Sequence, residues 1–401
     1  MTEVTERTHT LGSAREVLAV FLRLGCTSFG GPVAHLGYYR ADLVTRRRWL
    51  DEATYADIVA LCQFLPGPAS SQTAMSIGML RAGLRGGLAA WVGFTLPSAL
   101  LMVAFAFGVS LVGDVSQTAW LHGLKIVAVA VVAQAVWGMG RSLCPDRLRA
   151  SMAVGAAVVA LAVPSAAGQL GAIAAGGLIG WLALPAPVAP PGGGLHFGVD
   201  RRHGAMALAA FVVLLAGLPV LAASTGVHAL ALLDRFYRAG ALVFGGGHVV
   251  LPLLQQAVVP PGWIGPDAFL AGYGAAQAMP GPLFSFAAYL GAEMGPAPAG
   301  LPGAVLCLLA IYLPSFLLLV GVLPFWDGLR RRASVQAALR GVNASVVGLL
   351  LAALYTPVWT SAITGPADFG IGLVAFLALV FWRLPPWLVV LLGSGAATAL
   401  G

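Results

Sequence analysis

Charge is what this 401-residue chain has least of: aspartate and glutamate number 15, lysine and arginine 22, and the one lysine is Lys125. A soluble domain carries about a quarter charged residues, so 9% charged against 59% hydrophobic, at a mean hydropathy of +0.88, excludes that class. Roughly 20 apolar residues cross the ~30 Å hydrocarbon layer, and the length therefore allows many crossings and little else. Cysteine is scarce too. Cys26, Cys62, Cys144 and Cys307 are scattered with no pair at metal-ligand spacing, which points to neither disulfides nor zinc. The few acids lie mostly at segment ends, and Gly-Lys-Ser/Thr, His-Glu-x-x-His and Gly-x-Ser-x-Gly are all missing. An enzyme is not expected, nor a cofactor or metal. The net charge of +7 sits in short basic runs beside apolar segments, as at a lipid bilayer, so nucleic acid is not an expected partner. Met1 to Ala14 is polar without the features of a signal peptide and reads as a short cytoplasmic tail.

What is present is said twice. Phe21-x-Arg23-x-Gly25-x-x-x-Phe29-Gly30-Gly31 returns as Phe236-x-Arg238-x-Gly240-x-x-x-Phe244-Gly245-Gly246, displaced by 215. Gln63-x-x-Pro66-Gly67-Pro68 returns as Gln277-x-x-Pro280-Gly281-Pro282, displaced by 214. Leu96-Pro97-Ser98 recurs at 313–315 and Leu121-x-Gly123 at 339–341, displaced by 217 and 218. Four words in the same order with a slowly drifting offset mean one duplication. The expected organisation is a first repeat over 1–184, a linker over 185–227 carrying an unpaired apolar segment at about 205–223, and a second repeat over 228–401.

The arginines alternate. In the first half they fall between the first and second apolar segments (Arg46, Arg47, Arg48), the second and third (Arg81, Arg85), and the fourth and fifth (Arg141, Arg147, Arg149). In the second half they fall in the complementary loops (Arg330, Arg331, Arg332, Arg340, Arg383). By the positive-inside rule the halves have opposite orientations, and the unpaired segment supplies the odd crossing. The fold class expected is an all-α polytopic membrane protein of two inverted-topology repeats, with broken or re-entrant helices at Gly-Gly-Pro and Pro-Gly-Pro. Irregular backbone at membrane depth must be packed in protein or line a watery cavity, so the breaks are expected to converge.

Helices restarting after such breaks present unpaired N–H groups and a partial positive charge, which favour anions. The candidate substrate-binding residues of the first half are Arg23, Gly30, Gly31, Pro32, His35, Gln63, Gly67, Ser70, Ser71 and Lys125. Those of the second are Arg238, Gly245, Gly246, Gln277, Gly281 and Ser285. Alternatives stand beside each. The glycines and prolines also suit close helix packing and segment ends, and Arg23 and Arg238 could snorkel to the interface. Lys125, whose repeat partner is Asn343, is an intramembrane charge and so a site candidate. His35 and His248 are proton carriers or packed histidines. Gln63 and Gln277 bind substrate or brace the hairpin. Trp49, Trp91, Trp137, Trp263, Trp326 and Trp382 read as interfacial anchors, and Asp51 as a helix cap.

The run Phe29-Gly30-Gly31-Pro32-x-Ala34-His35, Arg48-Trp49, Gln63-x-x-Pro66-Gly67-Pro68, Gly93-Phe94-x-Leu96-Pro97 and Phe244-Gly245-Gly246-Gly247-His248 resembles the chromate ion transporter family in its long two-domain form. The resemblance covers nearly the whole chain. It implies a secondary transporter of the bacterial inner membrane that exports chromate, a sulfate-like dianion, driven by membrane potential or a pH gradient, and gives chromate resistance. The residues alone also admit sulfate, molybdate or a sulfur oxyanion, and the rival classes are a membrane-embedded enzyme, which the missing motifs disfavour, and an ion channel. A homodimer is admitted, though no residue sets the oligomeric state. Gly247 replaces Pro32, and Asn343 replaces Lys125, so the halves are not expected to contribute equal contacts. Single cysteines introduced as Arg47→Cys and Arg331→Cys should both label from the cytoplasmic face; periplasmic labelling of either contradicts the inverted arrangement.

Overall fold

In a computed structural model of the chain, residues 12–112, 119–185, 197–244 and 246–400 are described. All regular structure among them is helical. The first half runs α1 (Ala14–Thr27), α2 (Gly31–Tyr39) with a π-helical continuation (Arg40–Arg46), α3 (Glu52–Phe64), α4 (Ala69–Val112), α5 (Ala119–Leu143), α6 (Arg147–Ala162) and α7 (Ala166–Ala183). After α8 (Arg201–Thr225) come α9 (His228–Ala241), α10 (Val250–Val258), α11 (Pro266–Ala278), α12 (Phe286–Glu293), α13 (Gly300–Val322), α14 (Trp326–Leu329), α15 (Ala333–Ala353), α16 (Thr360–Ala362), α17 (Pro366–Val380) and α18 (Pro386–Leu400). Among the described residues, six helical stretches are long and apolar enough to cross a membrane: 69–109, 119–143, 166–183, 201–225, 300–329 and 333–362. The chain is a multi-pass, all-α membrane protein.

The short helices follow from the breaks in the sequence. α3 and α11, at 13 residues each, reach only about 20 Å, short of the ~30 Å hydrocarbon core. Each instead forms one arm of a hairpin. Pro66 and Pro68 have no N–H to donate, and Gly67 turns the chain at φ +122°, where a side chain is strained. α3 and the start of α4 then run antiparallel, with Cys62 Sγ 3.7 Å from Ser76 Oγ. α4 is interrupted by non-helical backbone at Ala82 and Gly83, where Arg81 pairs with Glu16 at the start of α1 (3.2 Å). The hairpin therefore returns to the level at which α1 begins. α11 and α12 repeat this design, locked by the Tyr289 hydroxyl donating to the Ala268 carbonyl (2.8 Å) and by Phe269 against Phe286 (5.2 Å).

A large apolar core joins the halves, from Met75 and Met79 to Phe236, Tyr273 and Phe286. Small residues let helices touch across it. A Cβ on Gly25 would lie 2.7 Å from the Gly93 carbonyl oxygen, and Gly240, 215 residues on, presses on the Ile311 carbonyl in the same way. α8, matching the unpaired apolar segment, sits at the edge with only 6% of its apolar window buried, as a lipid-facing helix would. Asp51 caps α3, accepting from the Thr54 N–H (2.7 Å). Two tryptophans depart from the expected interfacial role. Trp326 is buried against Phe64 (5.2 Å), and Trp91 packs on Tyr312 (5.5 Å), because α3 and α13 cover them.

After α2, Asp42 collects three guanidinium groups: Arg23 (2.7 Å), Arg46 (2.5 Å) and Arg47 (3.0 Å), with its own side chain 8% exposed. Removing a carboxylate from a buried network leaves cations uncompensated at ~3–5 kcal/mol, and partial exposure of these arginines lowers that figure. Asp42→Asn should cost about 1–3 kcal/mol, read as a lower melting temperature of the detergent-solubilised protein.

Candidate functional site

Two backbone hydrogen bonds join the halves at their breaks. The Gly67 N–H donates to the Val243 carbonyl (2.6 Å), and the Gly281 N–H donates to the Ser28 carbonyl (2.8 Å). Gly67 and Gly281 are related by the 214-residue offset, Ser28 and Val243 by the 215-residue offset, so one interaction is made twice. Each ties the Pro-Gly-Pro turn of one half to the residue just before the Phe-Gly-Gly break of the other. Side chains follow suit. A Cβ on Gly281 (φ +91°) would lie 3.0 Å from Ser98 Oγ; one on Gly67 would collide with Ser315 Oγ, the equivalent serine. The Gly-Gly breaks also face each other: a Cβ on Gly247 would lie 3.5 Å from Pro32 Cγ, and one on Gly31 4.0 Å from His248 Nε2.

Helix ends converge here. Ala69, Ser70 and Ser71 form the first turn of α4, whose N–H groups have no intrahelical acceptor and carry the positive end of the helix. Ser70, Ser71, Gln72, Thr73 and Ser76 are all buried. α2 opens on Gly30 in the left-handed conformation, with Pro32 in its first turn. In the second half both restarts are tighter 3-10 turns, Gly247–Val249 and Leu283–Ser285. There the Ser285 N–H (3.0 Å) and hydroxyl (2.8 Å) both donate to the Pro282 carbonyl, so this end offers fewer free donors than α4.

Around the turns, buried His35 has Nδ1 3.3 Å from Ser70 Oγ, and Ser71 Oγ lies 3.4 Å from the Tyr312 hydroxyl. His248 Nδ1 is 3.0 Å from the Tyr273 hydroxyl. Ser28 Oγ, His35 Nε2, Gln72 Oε1, Thr95 Oγ1, Gln277 Nε2 and Ser315 Oγ are buried and find no hydrogen-bond partner among the described residues. Each such group costs ~1–3 kcal/mol; for all but Gln72 Oε1, an acceptor itself, a ligand with several acceptor oxygens relieves that cost.

The fold thus brings together Gly30, Gly31, Pro32, His35, Gly67, Ser70, Ser71, Gly246, Gln277, Gly281 and Ser285. Gly245 lies outside the described residues. The remaining candidates lie apart. Gln63 is exposed, and Arg23 is held by Asp42. Arg238 pairs with Asp234 and lines a cavity of about 220 Å³ with Arg235, Gln169 and Gln256. Lys125, its side chain 5% exposed, pairs with Asp267 (2.9 Å) in the first turn of α11, roughly 15 Å along that helix from Gln277. The sequence reading passed over Gln72, Thr95, Ser98, Tyr312 and Ser315. A signal existed for Ser98 and Ser315, the hydroxyl of the repeated Leu-Pro-Ser word. Thr95 and Tyr312 differ in type at equivalent positions and gave none.

A family model described as Chromate transporter matches residues 15–181 and 230–399. The chain belongs to the chromate transporter family. It is similar to the chromate transport protein of Pseudomonas aeruginosa, 30% identical over 84% of this chain and 79% of that one. It is also similar to the probable chromate transport protein of Synechococcus elongatus (27% identical; 94% and 92% covered) and the chromate transport protein of Cupriavidus metallidurans (28%; 98% and 93%). No solved structure matches. Membership of the chromate transporter family points away from an enzyme.

Gly67→Ala forces a side chain into left-handed backbone and into Ser315, and should cost about 1–3 kcal/mol. Gly281→Ala, whose nearest neighbours begin at 3.0 Å, should cost less. Thermal unfolding of the two variants side by side checks the order.

Proposed function

We propose that the chain is a secondary transporter that exports chromate across the bacterial inner membrane and so gives chromate resistance, its halves in opposite orientations about one central site. The observation that carries this reading is the reciprocal cluster at the Pro-Gly-Pro turns: backbone bonds made twice, a helix N-terminus, and buried polar atoms awaiting partners. A tetrahedral dianion offers acceptor oxygens in several directions, and the N-terminal amides of α4 with the hydroxyls of Ser28, Ser70, Thr95 and Ser315, His35 and Gln277 are the donors assigned to it. The substrate itself comes from family membership and the names of the relatives. The alternating arginine loops support the opposed orientation.

Export needs no second ion on energetic grounds. Moving a dianion out of a negative-inside cell releases about 2 × 2.3 kcal/mol per 100 mV. The weaker donor set of the second-half turns supports unequal contributions from the halves.

The test is uptake of labelled chromate into everted vesicles under an imposed inside-positive potential, beside Ser315→Ala with Gln277→Ala. Wild type should accumulate chromate in proportion to the potential, with sulfate competing as a fellow tetrahedral dianion, and the double variant should transport at least about tenfold less, the loss of one to two hydrogen bonds to a charged ligand. Wild-type vesicles that move no chromate overturn the reading.

A further inference from the structure

A second cavity, also about 220 Å³, lies where α3 meets α14 and α15, walled by Asp57, Phe64, Trp326, Arg330, Arg340 and Asn343 among others. Waters take about 30 Å³ each in the liquid, so the space admits a small hydrated anion. Both halves build it. Asp57 and Phe64 come from α3, and Phe64 stands three residues before Gly67, so the cavity abuts the central turn.

Its chemistry is that of an anion site that is half closed. Arg330, with a side chain 7% exposed, is engaged by Asp327 (2.9 Å) and, across the halves, by Asp57 at 3.4 Å. That second contact is long for a charge-assisted bond, which runs ~2.7–2.9 Å. Arg340 adds a second guanidinium; one of its nitrogens donates to the Pro185 carbonyl (2.8 Å). The Trp326 indole N–H is a further donor close to the cavity wall. The residue is 5% exposed, it lines the cavity, and its buried Nε1 has no acceptor among the described residues. Indole N–H can only donate, and buried donors find acceptors, so a shift of the indole toward the cavity would bring an unfilled donor to it. The pseudo-equivalent positions are already filled. At the 218-residue offset Arg340 matches His122, which faces Asp368 (3.1 Å), and Asn343 matches Lys125, which holds Asp267. The first-half pair thus each face a carboxylate, whereas Arg340 is held by a backbone carbonyl.

We propose that this cavity is the cytoplasmic loading site for the transported dianion, in which Arg330 exchanges Asp57 for the substrate while Arg340 and the Trp326 N–H complete its coordination. The assignment rests on the proposed transport function, and on the arginine run Arg330, Arg331, Arg332 placing this end in the cytoplasm.

Initial rates of chromate uptake, measured in everted and in right-side-out vesicles, test it. With the cytoplasmic face outward, Arg340→Gln should raise the half-saturating concentration about tenfold, the equivalent of ~1.4 kcal/mol, and Trp326→Phe, which keeps an aromatic ring on Phe64, should raise it several-fold. Asp57→Asn, which releases Arg330, should lower it. From the opposite face the half-saturation of Arg340→Gln and Trp326→Phe should match wild type. Sulfate titrated onto purified wild type should change its tryptophan emission, and Trp326→Phe should abolish that change, a binding readout independent of turnover. Active wild type with unaltered half-saturation in both Arg340→Gln and Trp326→Phe, or effects confined to right-side-out vesicles, overturn the loading site. Wild type inactive with chromate and sulfate alike overturns the transport reading itself.

Discussion

A peptide group that leaves a helix inside a membrane must find its partner in protein, because lipid supplies none. The chain breaks its helices repeatedly with glycine and proline, and it answers that constraint with one contact used twice: the Gly67 N–H on the Val243 carbonyl and the Gly281 N–H on the Ser28 carbonyl. The central glycine N–H of each turn is satisfied by the other half. Neither the α3–α4 hairpin nor the α11–α12 hairpin could stand alone at that depth, and the serines, His35 and Gln277 are placed by the same meeting of turns. The candidate site is thus a by-product of making the breaks tolerable.

The poverty of charge shapes the rest. Asp42, Asp57, Asp234 and Asp267 each hold a basic side chain, and none of those cations is among the groups gathered at the Gly67 and Gly281 turns. The centre is left to neutral donors and a helix terminus. Under the proposed function, such a cradle would hold an anion without the deep well that an unpaired lysine would create, and a carrier has to release what it binds. The guanidinium groups lie instead in flanking cavities, Arg235 and Arg238 in one, Arg330 and Arg340 in the other.

The two halves are alike in backbone and unlike in chemistry. The first restarts its helices with full N-terminal turns, the second with 3-10 turns that consume their own donors. The difference matches Gly247 standing where Pro32 does: a proline pre-set for the first helical turn is replaced by a residue without that bias. A transporter with one stronger and one weaker half can favour one direction of loading.

The sequence by itself determined the membrane class, the places where helices stop, and the words that recur. Those depend on local chemistry, the missing proline N–H and the backbone freedom of glycine, which act on neighbouring residues whatever the fold. Tertiary structure alone decided what the polar groups paired across long stretches of sequence face. Lys125 reads as a lone cation because Asp267 is 142 residues away, Arg330 as a loop arginine because Asp57 is 273 away, and Trp326 as an interfacial anchor because nothing local shows α3 lying over it. Ser315 and Ser98 were visible as a repeated word, yet their place beside the glycine turns was not. Pairings across halves depend on how helices pack in three dimensions, and no spacing along one chain encodes them.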